Sequence, residues 1–119
     1  MLDLDRIAAI VAVHAPASPR DGDCVAVSEQ VTAALTAHGF DASTVMLTGW
    51  VGRSVIGLMH QVTAVAIGGE VVLADVTARQ FLADLPSVWV APQEDYLTEF
   101  TTRLRLERTT VAPIPVQAK

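Results

Sequence analysis

The sequence predicts an α+β fold in which a helix packs on an antiparallel sheet. Three observations carry that reading. From Leu4 to His38 the apolar residues recur at helical spacing. Beyond Ala42 the pattern changes to short, β-branched runs. Two of those runs, HQVTAVAI and EVVLADVT, are separated by Gly68-Gly69, the residues a tight primed turn requires at its positive-φ positions.

In chain order, Asp3 is placed to cap a first helix carrying Leu4, Ile7, Ala8 and Val11 on one side and ending near His14, before Pro16 and Pro19. APASPRDGD reads as a loop. Asp23 is expected to cap a second helix that runs to about His38 and is stopped by Gly39. Cys24, Val27, Val31, Ala34 and Leu35 share its apolar face, opposite Glu29, Thr32 and Thr36. Strands follow at Ser43 to Leu47 and in the Gly-punctuated stretch GWVGRSVIG, and then the hairpin. ARQFLADL predicts a short helix, SVWVA a strand, and QEDYLTEFTTRLRLE a last helix. Residues 1–110 are read as one domain and residues 111–119 as an extended or disordered tail.

At 119 residues, with 51% hydrophobic and 18% charged residues, the composition is that of a globular domain and not of a disordered chain. A net charge of -5 argues against a phosphate-backbone partner, so no nucleic acid is expected. No apolar run is long enough to span a bilayer. The apolar segment from Ile7 to Val13 follows Asp3, Asp5 and Arg6, not the basic stretch of a signal peptide, so the expected setting is cytoplasmic or a target cell into which the protein is delivered. One cysteine allows no internal disulfide. One cysteine and three histidines also lack the paired spacing of a metal site, and neither metal nor cofactor is expected.

The hairpin determines which side chains meet. With Gly68 and Gly69 in the turn, Ile67 pairs with Glu70, and counting outward makes His60 and Asp75 diagonal neighbours on one face. Their Cβ atoms would lie about 7 Å apart, within reach of an imidazole–carboxylate hydrogen bond. Cys24 opens the second helix, where the positive end of the helix dipole and a nearby imidazolium favour thiolate. The expected roles are Cys24 as nucleophile, His60 as base and then acid, and Asp75 as the group that fixes the imidazole tautomer. The Cys24 amide is the expected oxyanion donor. A buried structural cysteine in a catalytically silent interaction domain is the alternative.

Gly-Asp-Cys opening a helix that closes in HGF, a strand beginning at His60, and Asp-Val-Thr ending the next strand together resemble the papain-like and transglutaminase-like cysteine superfamily. The order Cys, His, Asp, with separations of 36 and 15 residues, is similar in particular to its compact branch of bacterial toxin or effector deamidase domains. The likeness covers about Asp21 to Phe81. It implies a papain-like minimal core, a thioester intermediate, a carboxamide of a protein or peptide as substrate, and Cys24, His60 and Asp75 as the triad. The glutamine that papain-like proteases place shortly before the nucleophile is missing from ASPRDG, and Val25 stands where an aromatic residue often follows it.

Trp50 and Gln61 are candidate substrate-binding residues, with core packing and a strand surface as their respective alternatives. Gln80 is read as a helix-surface residue, with polarisation of a substrate carbonyl as its alternative. His38 beside Gly39 is read as a helix-end residue acting on the dipole, not as a ligand. Oligomeric state, substrate identity and the choice among deamidation, proteolysis and acyl transfer are not encoded in any motif of the chain.

Overall fold

Hydrophobic alternation along the strands splits the apolar residues between two faces of one sheet. The computed structural model describes residues 3–114, which form helices α1 (Leu4–Ala12), α2 (Asp23–Ala37) and α3 (Gln93–Arg103). The strands are β1 (Asp41–Trp50), β2 (Ile56–Ile67), β3 (Glu70–Asp75), β4 (Trp89–Pro92) and β5 (Arg108–Pro113). They form a five-stranded sheet in the order β4-β3-β2-β1-β5, with every neighbouring pair antiparallel.

Val65, Val72 and Ala74 face one way and bury Ile7 and Val11 of α1 with Val31 and Leu35 of α2. Val45, Leu47, Val62 and Leu73 face the other way, against Tyr96 and Phe100 of α3 and Leu85 of the preceding loop. The sheet is therefore covered on both sides, and no helix in the described residues is long and apolar enough to cross a membrane.

The β2–β3 hairpin has the expected register, with Ile67 opposite Glu70 and both turn glycines at positive φ, 55° and 84°. Gly39 is likewise left-handed, and the His38 ring closes the end of α2 through Nδ1 to the Ala34 carbonyl at 2.8 Å.

Several expectations are corrected. Asp23 is the first residue of α2 and not its cap; left-handed Gly22 holds the cap position, and the Asp23 carboxylate accepts the Arg20 amide at 2.8 Å instead. Thr32 faces the sheet, where its hydroxyl meets that of Thr63 at 2.9 Å. GWVGRSVIG is not one strand: Gly49 and Trp50 end β1, Ile56 and Gly57 open β2, and residues 51–55 join them. ARQFLADL forms only a 3-10 turn at Ala78–Gln80, because its residues are needed as a cover over the sheet. The last helix ends at Arg103, where Arg105 adopts a φ of 55° and turns the chain back. Residues 108–113, which overlap the expected tail, are an edge strand that closes on Pro113, where no further strand needs a donor. The rest of the expected tail, residues 115–119, lies outside the described residues.

Candidate active site

Pairing of β2 with β3 stops at Thr63–Ala74. Beyond that point the two strands contribute side chains and free main-chain groups to a site at their open ends, where the first turn of α2 enters. Thr63 ties the helix down by donating its hydroxyl to the Ser28 carbonyl at 3.1 Å. Cys24 is the second residue of α2, so its N–H is one of the amides for which a helix offers no partner.

His60 and Asp75 meet as the register predicts, with Nε2 2.8 Å from Oδ2. The carboxylate accepts three other hydrogen bonds: Oδ1 from the Thr77 amide at 2.9 Å and the Thr77 hydroxyl at 3.4 Å, and Oδ2 from the Tyr96 hydroxyl at 2.5 Å. The imidazole is wedged between Phe81, edge-on at 4.9 Å, and Phe100, parallel at 6.0 Å. With Nε2 engaged by Asp75, Nδ1 is the nitrogen left for the sulfur.

Electrostatics follow from this arrangement. A hydrogen bond from His60 is the main influence lowering the Cys24 pKa below 9.0; burial opposes it, and the Gln61 main-chain N–H, the imidazolium charge and Gln80 reinforce it. Burial works against a charge on His60, but the charge and hydrogen bond of Asp75, with Cys24, overcome it and raise the imidazole to about 9. Burial likewise disfavours ionised Asp75, yet His60, Tyr96 and Thr77 hold it below the usual carboxylate range. His60 is 0% exposed and Asp75 2%, whereas Cys24 keeps 7%, so the sulfur-bearing residue is the member that still meets solvent.

Cys24, His60 and Asp75 are thus brought together, and the other two candidates are not used as expected. Gln61 neighbours His60 on β2 and so points its side chain to the opposite face, into the buried layer under α2; its main chain, not its amide, serves the thiol. Trp50 follows a register shift at the end of β1, opposite Ile56 and Arg108. Its indole N–H donates to Thr110 Oγ1 at 3.1 Å, and the Arg108 guanidinium lies 4.3 Å over its ring, so it braces the β5 edge instead of lining the triad.

Gln80, for which the helix surface is the favoured expectation, lies beside His60 instead. The 3-10 turn after β3 brings its Nε2 to 3.4 Å from His60 Nδ1, and its Oε1 is buried with no hydrogen-bond partner. The available signal was its position five residues after Asp75, inside a segment too short and too apolar for a surface helix. A cleft of about 370 Å³ lined by Glu70, Val71, Pro92, Gln93, Glu94 and Asp95 shares no residue with the triad. The cavity that does border it, between Ser28, Gln61, Asp75 and Thr77, is about 10 Å³, room for about one water.

No protein-family model matches the chain, and no curated protein sequence does. Solved structures do. The C-terminal region of Pasteurella multocida toxin, described as carrying a thiol-protease-like catalytic triad, superposes with a TM-score of 0.73 at 22% identity, over 99% of this chain and 19% of that one. The fold is that of a toxin's thiol-protease-like domain. The catalytic domain of the Salmonella virulence factor SseI shares it, with a TM-score of 0.58 at 18% identity, over 76% of this chain and 56% of that one. The α+β architecture expected from the sequence, helices packed on an antiparallel sheet, is therefore the architecture found, and it is the fold of these two catalytic domains. The chain spans about a fifth of the toxin chain and just over half of the effector chain.

Proposed function

We propose that the chain is a cysteine-dependent enzyme that attacks a carboxamide of a protein or peptide through Cys24, His60 and Asp75. The observation that carries this reading is the buried His60–Asp75 hydrogen bond of 2.8 Å beside a thiol in the first turn of a helix, whose pKa His60 lowers. A raised imidazole pKa next to a lowered thiol pKa favours a thiolate–imidazolium pair at neutral pH.

In the first half-reaction the Cys24 sulfur bonds to the carboxamide carbon. The oxyanion is received by the free Cys24 N–H and by the Gln80 amide nitrogen, the second donor that the ASPRDG loop lacks. His60 gives its Nδ1 proton to the departing nitrogen, the C–N bond breaks, and a thioester remains. In the second half, neutral His60 takes a proton from water, whose oxygen displaces the sulfur and releases a carboxylic acid. A terminal carboxamide yields ammonia and a deamidated side chain; a peptide bond yields two chains; an amine in place of water yields acyl transfer. The fold shared with a toxin and a virulence factor supports a protein substrate and an effector role inside a target cell. Mass spectrometry of candidate proteins incubated with the chain separates these outcomes: the small mass gain of deamidation, cleaved fragments, or an amine adduct, each abolished by Cys24→Ala. No change in any protein, with the variant and the parent alike, overturns the proposal.

The burial of Cys24 favours a second reading, a catalytically silent domain of the same fold. That reading requires Cys24 to alkylate no faster than a peptide thiol and independently of His60.

A further inference from the structure

Asp75 is served from a layer that the triad itself does not include. Tyr96 stands in the first turn of α3 and is fully buried, and its hydroxyl donates at 2.5 Å to Oδ2, the same oxygen that holds His60 at 2.8 Å. The ring has little freedom: Trp89, which pairs with Asp75 across β3 and β4, lies 4.1 Å from it, and Phe100 packs at 5.5 Å on the same helix. Burial, with the charge and hydrogen bond of Asp75, raises the phenol well above 10.0, so the hydroxyl stays a donor throughout the range in which a thiol enzyme works.

We propose that Tyr96 is a positioning residue of the site, which acts through Asp75 by sharing Oδ2 with His60 and so weakens the carboxylate's hold on the imidazole. The inference rests on the proposed triad chemistry. Two donors on one carboxylate oxygen divide its electron density, and the stronger one leaves less for the other. Oδ1 is anchored independently by Thr77, so removing the phenol leaves the carboxylate in place and concentrates Oδ2 on His60. The imidazolium then parts with its proton less readily, which slows its step as general acid. The titratable groups facing this carboxylate are His60 from β2 and Tyr96 from α3, with Cys24 of α2 reaching it through the imidazole; among the described residues no lysine or arginine pairs with it.

The test is the pH profile of Cys24 alkylation by iodoacetamide in the full chain. A thiolate–imidazolium pair gives a plateau whose upper limit is the loss of the His60 proton. Tyr96→Phe keeps the ring packing and is expected to move that upper limit upward by about half a unit to one unit. Tyr96 is the chain's single tyrosine, so growth on meta-fluorotyrosine alters this hydroxyl alone. The fluorinated phenol is a stronger donor and is expected to move the limit downward. Opposite shifts from the two changes support the proposal, because a packing role has no reason to change sign. An upper limit that stays put or falls in Tyr96→Phe, or that stays put or rises with meta-fluorotyrosine, overturns it; if Tyr96→Phe does not fold, the fluorinated protein decides. A parent protein without a plateau overturns the triad chemistry as well, whereas a plateau insensitive to Tyr96 overturns this inference alone.

Discussion

At the scale of single residues, the site rests on one sulfur, one ring and one carboxylate, each with a distinct dependence on its neighbours. Cys24→Ala exchanges one small buried side chain for another at a helix end, so the melting temperature should move by only a few degrees while turnover disappears; differential scanning calorimetry beside an activity assay checks both. Asp75→Asn replaces the acceptor by an amide that offers His60 a weaker, uncharged partner. The imidazole should then fall from about 9, and kcat/KM should drop by about two to four orders of magnitude, with the alkaline limb of the pH profile moving down. Cys24, His60 and Asp75 were legible because each is fixed by local grammar, a helix start for the thiol and a two-glycine turn for the pair. Gln80 and Tyr96 were not. Both meet the triad through contacts between segments: the short, largely apolar segment around Gln80 argues against a surface helix without saying what the amide meets, and Tyr96 follows three polar residues as an ordinary amphipathic helix residue would.

At the scale of elements, the hairpin sets the register that aligns the imidazole with the carboxylate. Both turn residues have positive φ, and a side chain at Gly69 would be strained although open space surrounds it. Gly69→Ala should cost about 1–2 kcal/mol, read as a lower urea midpoint at an unchanged slope. Helix α2 depends on the apolar layer beneath it, and Leu35→Ala, at a position with no exposure, should cost about 2–5 kcal/mol in the same measurement. The hairpin, α1, α2 and α3 could be read from periodicity because each buries one stripe against one partner. The edge was harder. β5 carries Thr109, Thr110, Val111 and Pro113, and its pairing with β1 is decided by the left-handed turn at Arg105 and by Arg108 over Trp50, neither of which leaves a periodic trace. The same turn ties Trp50 into the edge through Thr110 and Arg108.

At the scale of the whole molecule, two layers of helix and one sheet place a buried ion pair where strand pairing ends, and stability should report it. His60 has a folded value of about 9 against 6.5 ordinarily, so its contribution is complete below pH 6.5 and is lost as pH rises through about 9. Asp75 is lowered, so its contribution is present above pH 3.8 and is lost as pH falls through its depressed folded value. Cys24, also lowered, has the opposite slope to His60 on the alkaline side, gaining stability toward pH 9.0. In Cys24→Ala that opposing contribution is gone, and the melting temperature should decline steadily above pH 6.5, a decline that His60→Ala does not show. The central claim is that the Cys24 sulfur exists as a thiolate paired with His60. Its most direct measurement is the ultraviolet thiolate absorbance of the chain, corrected by Cys24→Ala, titrated with and without His60→Ala. The thiolate should appear below the ordinary cysteine value of 9.0 in the parent and return to that value or above it when the imidazole is removed. Titration at or above 9.0 in the parent, or identical curves in the two proteins, would contradict it.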